Sequence, residues 1–252
     1  MIETTEDAFI GGRLMLRQPK EGLRAGIDAV LLAAAVAARA GERVLEAGSG
    51  SGIVSLLIAR RIEGVRVDGI EIDPSLVALS VGNARASGLA ERAAFHAGDV
   101  TEGVRALEGA GLARESFDHV VANPPFIIDG EGRPPRREQA RRATSMPAAD
   151  LDGWLRLLAT ACRPGGCLWL VHRADALPRL FEATEGRFGG LCVLPLFPRM
   201  GEAASRVILS GTKGSRAPMR LLQGLVLHAG TGGTFTPEAS AVLRDGAALP
   251  IG

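Results

Sequence analysis

Apolar and polar positions along the chain fall into a regular alternation from residue 43 onward. A strand Arg43 to Glu46 and a glycine turn lead into a helix Ile53 to Arg61, a strand Val65 to Ile70 and a helix Pro74 to Ser87, followed by strands Ala93 to His96 and Phe117 to Ala122. Proline opens the helix at 74, where its fixed φ and missing N–H suit the first helical position. Strands alternating with helices predict right-handed βαβ units and a parallel sheet. Downstream, the pattern predicts a helix Asp150 to Ala161, a strand Cys167 to His172, a helix Ala174 to Thr184, and strands Leu191 to Leu196 and Arg206 to Ser210. Between the last two there is room for a loop but not for a crossover helix, so they pair antiparallel. The expected fold is α/β: a doubly wound, mostly parallel, seven-stranded sheet with a terminal antiparallel strand.

Ahead of this core, Phe9 to Leu16 predicts a small hairpin turning on Gly11-Gly12 and broken at Gln18-Pro19, and the Ala- and Leu-rich stretch Ile27 to Arg39 predicts a helix. The tail carries Leu225-Val226-Leu227, a glycine-rich stretch and a helix from Pro237 to Leu243, and is expected as an appendage. With no internal repeat and no long linker, residues 1–252 are expected to form one domain. Its parts are a hairpin and helix in 1–40, a cofactor-binding and catalytic core in 41–212, and the appendage in 213–252.

Composition narrows the class. At 252 residues, 46% hydrophobic and 23% charged, the chain can bury a full core. The 29 basic residues nearly cancel the 28 acidic ones, so any nucleic-acid site must be a local patch. Cys162, Cys167 and Cys192 have no C-x-x-C spacing, which leaves neither a disulfide framework nor a zinc cluster, and no metal is expected. Its longest apolar run, Ala29 to Ala38, is too short to cross a bilayer, and the acidic start lacks the features of a signal peptide. The expectation is a cytoplasmic protein without a membrane partner; oligomeric state is left open.

The chemistry starts at Glu46-Ala47-Gly48-Ser49-Gly50-Ser51-Gly52, between a strand and a helix, where backbone passes close to a ligand. A dinucleotide turn starting at Gly48 needs glycine at position 53, which is Ile53, so that reading weakens. Glu71 ends the second strand, followed by Ile72, and a carboxylate there can accept both hydroxyls of a ribose. Asp99, followed by Val100, comes after the third strand and can accept from an adenine amino group. Taken singly, these are a tight turn and loop acids; together they lie at the carboxyl ends of parallel strands, where open α/β sheets bind ligands.

The fourth strand runs into Asn123-Pro124-Pro125-Phe126. Two prolines end ladder pairing and stiffen the chain. A planar amino group is a poor nucleophile because its lone pair is delocalised. Accepting one N–H at the Asn123 side-chain oxygen and another at the Pro124 carbonyl would aim that lone pair and favour charge developing on nitrogen. Asn is no general base, so its contribution is positioning, while Phe126 would stack on the substrate ring. The plain alternative is a buried turn with Asn as cap and Phe as filler.

Gly48-x-Gly50-x-Gly52, Glu71, Asp99 and Asn123-Pro124-Pro125-Phe126 together resemble the class I S-adenosylmethionine-dependent methyltransferases carrying an (Asn/Asp)-Pro-Pro-(Tyr/Phe) motif, which modify planar nitrogens of nucleobases or of protein glutamine. The lead Gln18-Pro19, Gly22-Leu23-Arg24 and Asp28-Ala29-Val30-Leu31-Leu32 is similar to that of bacterial tRNA adenine-N6 methyltransferases acting on an anticodon-loop adenine of a valine tRNA. The resemblance implies S-adenosylmethionine as cofactor, held by Glu46, Ala47, Gly48, Gly50, Gly52, Glu71, Ile72, Asp99, Val100 and Asn123. It also brings Arg24 and Asp28 near it, unless these form an ordinary helix-start ion pair. It implies Asn123, Pro124, Pro125 and Phe126 as the catalytic residues. The chain departs from the family at Ile127, where a second aromatic is common, and at Ala140-Arg141-Arg142-Ala143, where an Ala-Arg-His-Glu-like segment is common.

An RNA partner, a tRNA as the resemblance implies, would find five arginines against one acid, Glu138, in Arg133, Arg136, Arg137, Arg141 and Arg142, directly after the tetrapeptide. A second cluster comprises Arg199, Arg206, Lys213, Arg216 and Arg220, with Arg216 as its candidate contact. Solvated surface is the alternative for both. A guanine-N2 rRNA methyltransferase, a glutamine methyltransferase and a non-catalytic cofactor- or RNA-binding module remain as rival functions.

Overall fold

A computed structural model describes residues 2–21, 24–125, 127–128, 145–146, 150–230 and 232–251, with 127–128, 145–146 and 150 described by backbone alone. The chain opens on an antiparallel hairpin, β1 (Thr4–Phe9) and β2 (Leu14–Pro19), joined by a short 3-10 turn at Ile10–Gly12. Helix α1 (Ile27–Ala35) leads into β3 (Arg43–Ala47), α2 (Ile53–Arg61), β4 (Arg66–Glu71), α3 (Pro74–Ala86), β5 (Ala93–Ala97), α4 (Val104–Gly109) and β6 (Phe117–Ala122). A two-residue pairing of β7 (Ile127–Ile128) with β8 (Ser145–Met146) precedes α5 (Asp150–Ala161), β9 (Cys162–Arg173), α6 (Leu177–Thr184), β10 (Phe188–Arg199) and β11 (Arg206–Lys213). Two short strands, β12 (Arg220–Leu221) and β13 (Leu225–His228), and α7 (Pro237–Leu243) complete the described elements.

The seven long strands run β5-β4-β3-β6-β9-β11-β10, with β12 and β13 both pairing with β10. Ladders β5-β4-β3-β6-β9 are parallel, and β11 is antiparallel to both its neighbours. The antiparallel strand expected at the end is thus the last long strand in the chain, lying one place in from β10. Strand order reverses at β3, whose neighbours are β4 on one side and β6 on the other. A crevice opens at such a reversal, outside the carboxyl ends of the two strands.

Successive strand residues face opposite layers. Val44 and Val121 join one core with α1, α2 and the hairpin's Leu14 and Leu16; Leu45, Ala47, Val120 and Ala122 join the other, with Leu155 and Leu158 of α5 and Leu180 of α6. The tail, expected as an appendage, contributes to the first core. Ala239, Val242, Leu243 and Leu249 are buried there, and the Leu249 N–H donates to the Ala34 carbonyl at 2.9 Å.

Helix α1 ends at Ala35, four residues before the expected Arg39. From α2, the Arg61 guanidinium donates to the carbonyls of Ala33 (2.9 Å) and Val36, satisfying the orphan acceptors of a helix end, and Val36 is extended. His119 has its Nδ1 against Trp169 Nε1 and its Nε2 against Glu42, both at 3.0 Å, in keeping with a structural role. Burial raises the pKa of all three cysteine thiols, that of Cys162 to about 12, leaving them protonated. Among the described residues, no helix is long and apolar enough to cross a membrane.

Candidate active site

Ala47 pairs with Ala122, so Gly48 and Asn123 are the next residues on adjacent strands at the carboxyl edge of the sheet. The glycine turn and the tetrapeptide are therefore neighbours across the reversal point. Asn123 and Pro125 are half-buried and Pro124 is buried, and the Asn123 side chain makes no hydrogen bond to another described residue. Phe126 lies outside the described residues, as do Arg133, Arg136, Arg137, Arg141 and Arg142.

Gly48, Gly50 and Gly52 all have positive φ, at 66°, 54° and 82°. Their surroundings differ from the expectation that all three make room for a ligand. A Cβ on Gly48 would stand 2.3 Å from the Trp154 ring, and one on Gly52 would stand 2.8 Å from Phe95 and 2.9 Å from Ser80. A Cβ on Gly50 would meet nothing within 4 Å. Two of the glycines thus admit the protein's own walls, and Gly50 is the one opening to free space.

Around that opening lie two carboxylates with no cationic partner among the described residues. Glu46 accepts from the Ser55 N–H (2.9 Å) and hydroxyl (2.5 Å). Burial is the main cause raising its pKa from 4.5 to about 8, and the charge of Glu71 adds to it, while the Ser55 bonds oppose. Glu71 accepts from the Gly50 N–H (2.8 Å) through one oxygen and from the Asp73 N–H (3.0 Å) through the other. Its remaining lone pairs are available to hydroxyls. Next to it, Ile72 is 64% exposed, an apolar side chain left largely uncovered by the described residues.

Asp99 caps a 3-10 turn through one oxygen, accepting from the Thr101 N–H (2.8 Å) and hydroxyl (2.7 Å), while the other oxygen has no partner among the described residues. The Ala47 and Val100 side chains are in the core, so these two can meet a ligand only through backbone. The cluster fits the expected donor: two uncompensated acids for its cationic end and ribose, an exposed isoleucine for a flat base, and a free oxygen on Asp99.

Arg24 and Asp28 do not pair with each other. Arg24 is held by the hairpin, donating to Asp7 (2.5 Å) and Thr5 (2.7 Å), and Asp28 in the first turn of α1 pairs with Arg206 at 3.2 Å. The second basic cluster does not assemble into one patch. Arg206 and Lys213 stand at opposite ends of β11, roughly 23 Å apart for seven residues of strand. Arg206, Arg199 and Lys213 each pair with an acid, Asp28, Glu202 and Glu115. Arg216 precedes Ala217, which bonds Gly190 near the start of β10, so it lies at the edge of the sheet opposite Asn123.

Three residues had no signal in the sequence. Asn83, 2% exposed, accepts from the Arg17 N–H and donates to the carbonyls of Arg17 and Ser51, each at 2.9 Å, tying the hairpin to the glycine turn. Trp154 roofs Gly48. Gly69 leaves space for Ser49, whose Cβ would be 2.7 Å from a side chain there.

The family profile described as methyltransferase small domain matches residues 24–139. Curated relatives named tRNA1(Val) (adenine(37)-N6)-methyltransferase include one from Porphyromonas gingivalis, 32% identical over 185 residues and covering 71% of this chain and 70% of the relative. Another, from Aeromonas hydrophila, is 31% identical over 74% of this chain and 75% of its own length. Among solved structures, a predicted O-methyltransferase from Agrobacterium tumefaciens superposes with a TM-score of 0.74 at 28% identity, covering 88% of this chain and 98% of that one.

Proposed function

Since this chain belongs to the small-domain family of S-adenosylmethionine-dependent methyltransferases, we propose that it methylates an exocyclic amine of an RNA base, adenine N6 of a tRNA. The observation that carries this reading is the placement of Asn123 beside Gly48, with its amide unbonded to any other described residue and the Pro124 carbonyl next along a proline-stiffened turn. Two oxygens on such a turn match the two N–H groups of a planar NH2, whereas a hydroxyl acceptor has one hydrogen to give. The names of the relatives support adenine N6 in tRNA as the substrate class.

When bound, the donor supplies a methyl group on a cationic sulfonium. Glu46 and Glu71 would hold its charged and ribose ends, Ile72 would offer its apolar side chain to the adenine, and Asp99 would accept from the adenine amino group. Asn123 and Pro124 grip the substrate amine and orient its lone pair, an effect of positioning and local electrostatics. A loop base turned out of its stack costs a few kcal/mol, less than one taken from a duplex. Phe126 stacks on that base and the arginines from Arg133 to Arg142 meet the flanking phosphates. The setting is the cytoplasm, where the buried thiols stay reduced.

Mass-spectrometric nucleoside analysis of unmodified tRNA and rRNA incubated with enzyme and donor tests the proposal. N6-methyladenosine in tRNA is the expected product. N2-methylguanosine, a nucleoside methylated on a ribose hydroxyl, or donor binding with no turnover on any RNA would each replace it.

A further inference from the structure

A second cavity lies between α1, α2, the 3-10 turn of the hairpin and α7, with a floor of Ile10, Val30, Ala33, Ala34, Leu57 and Val242, each 8% exposed or less. Arg13, Arg60 and Arg61 line it as well. None of the three has a carboxylate within 4.0 Å among the described residues, although the chain carries 28 acids. Arg13 donates through Nη1 to the Asp245 carbonyl (2.7 Å), and Arg61 through Nη2 to the carbonyls of Ala33 and Val36. Arg60 reaches the Ser87 carbonyl (2.9 Å). These bonds anchor the side chains on backbone carbonyls, whose partial charges compensate them only in part, and no full negative charge stands beside them among the described residues. Nε of Arg61 is buried with no hydrogen-bond partner among the described residues, and burial holds the guanidinium pKa below its ordinary value.

Arg61 is half-buried and Arg13 and Arg60 stand exposed at the rim; a cation partly withdrawn from water favours an anion beside it, and the apolar floor beneath favours an anion that carries an apolar body over a bare, hydrated ion. We propose that this cavity is a binding site for a small amphipathic anion, a single carboxylate on a compact apolar body, with the carboxylate on Arg61 and Arg13 and the body on the α1–α2 floor. The site is separate from the methyl-donor crevice: Arg61 ends the helix that Ile53 opens, eight residues and about 12 Å away.

Calorimetric titration with sodium octanoate, octanol and inorganic phosphate separates the two halves of the claim. Octanoate is expected to bind one equivalent at least tenfold more tightly than either control, and to bind equally with S-adenosylmethionine present. Arg13→Met and Arg61→Met are each expected to weaken octanoate at least tenfold and leave donor affinity unchanged; Arg13 is exposed, so its variant folds even if loss of the Arg61 helix cap does not permit the other to fold. Ala34→Leu, which fills the floor, is expected to weaken octanoate equally. Octanoate no tighter than octanol or phosphate, displaced by the donor, or unaffected by Arg13→Met overturns the proposal.

Discussion

The Trp154 indole occupies the space a side chain on Gly48 would need, with ring carbon Cη2 2.3 Å from where that Cβ would stand. Helix α5 thereby presses directly on the first glycine of the donor turn, and its Gly153 packs on Thr101 beside Asp99. Gly48→Ala must displace the ring and hold a non-glycine residue at φ 66°, together costing roughly 2–5 kcal/mol. Urea unfolding checks this. In a double-mutant cycle with Trp154→Ala, part of the loss should be recovered, giving a coupling of about 0.5–3 kcal/mol; strict additivity would deny the contact its role.

Glu46 gives the donor site a pH dependence of definite sign. Its folded pKa of about 8 lies above the ordinary 4.5, so without donor the folded state holds a proton that the unfolded chain has lost. That group's effect on stability is nil below pH 4.5, turns unfavourable as pH rises through the interval, and levels off above about 8. A cationic donor favours the ionised form, so donor affinity should rise from pH 6 to 8 and then flatten. Glu46→Gln should remove both dependences, measured by denaturation and by donor titration across that range.

Replacing Glu71 tests the turn and the ribose together. Glu71→Ala deletes the acceptor of the Gly50 and Asp73 N–H groups and should weaken donor binding at least tenfold, while Glu71→Gln, which keeps one oxygen, should fall between it and the parent. Equilibrium dialysis with labelled donor reads both.

Asn83 is predicted to matter for stability although it faces no substrate. Asn83→Ala strips two part-buried hydrogen bonds to the Arg17 backbone and one buried bond to the Ser51 carbonyl and should cost about 2–4 kcal/mol, measured by urea denaturation. Early exchange of the β1–β2 amides should accompany the loss, since the hairpin is tied to the glycine turn through this side chain.

The legible parts of the fold are those decided locally. Ile53–Arg61, Phe117–Ala122, Asp150–Ala161 and Pro237–Leu243 form over the expected residues because their caps, prolines or apolar runs lie within the segments themselves. Where a distant partner decides, the sequence is mute: the end of α1 is set by Arg61, the tail is drawn into the core by its contact with α1, and β9 begins at Cys162 because its register against β6 shifts there. The site divides the same way. Glu46, Glu71 and Asn123 stand out by chemistry at strand ends, whereas Trp154 and Asn83 act through contacts to residues far along the chain. Arg206 and Lys213 are seven residues apart in sequence and yet belong to opposite edges, since a strand is an extended rod.

Asn123→Ala tests the account most directly. Single-turnover methyl transfer to unmodified tRNA and the dissociation constant of S-adenosylmethionine are measured on the same preparation. A loss of transfer by about a hundredfold or more with donor affinity within a few fold is the expected outcome, the size associated with one lost electrostatic donor or acceptor at a reacting centre. Unchanged transfer, or donor affinity falling in step with it, would contradict the claim that this side chain aims the amine.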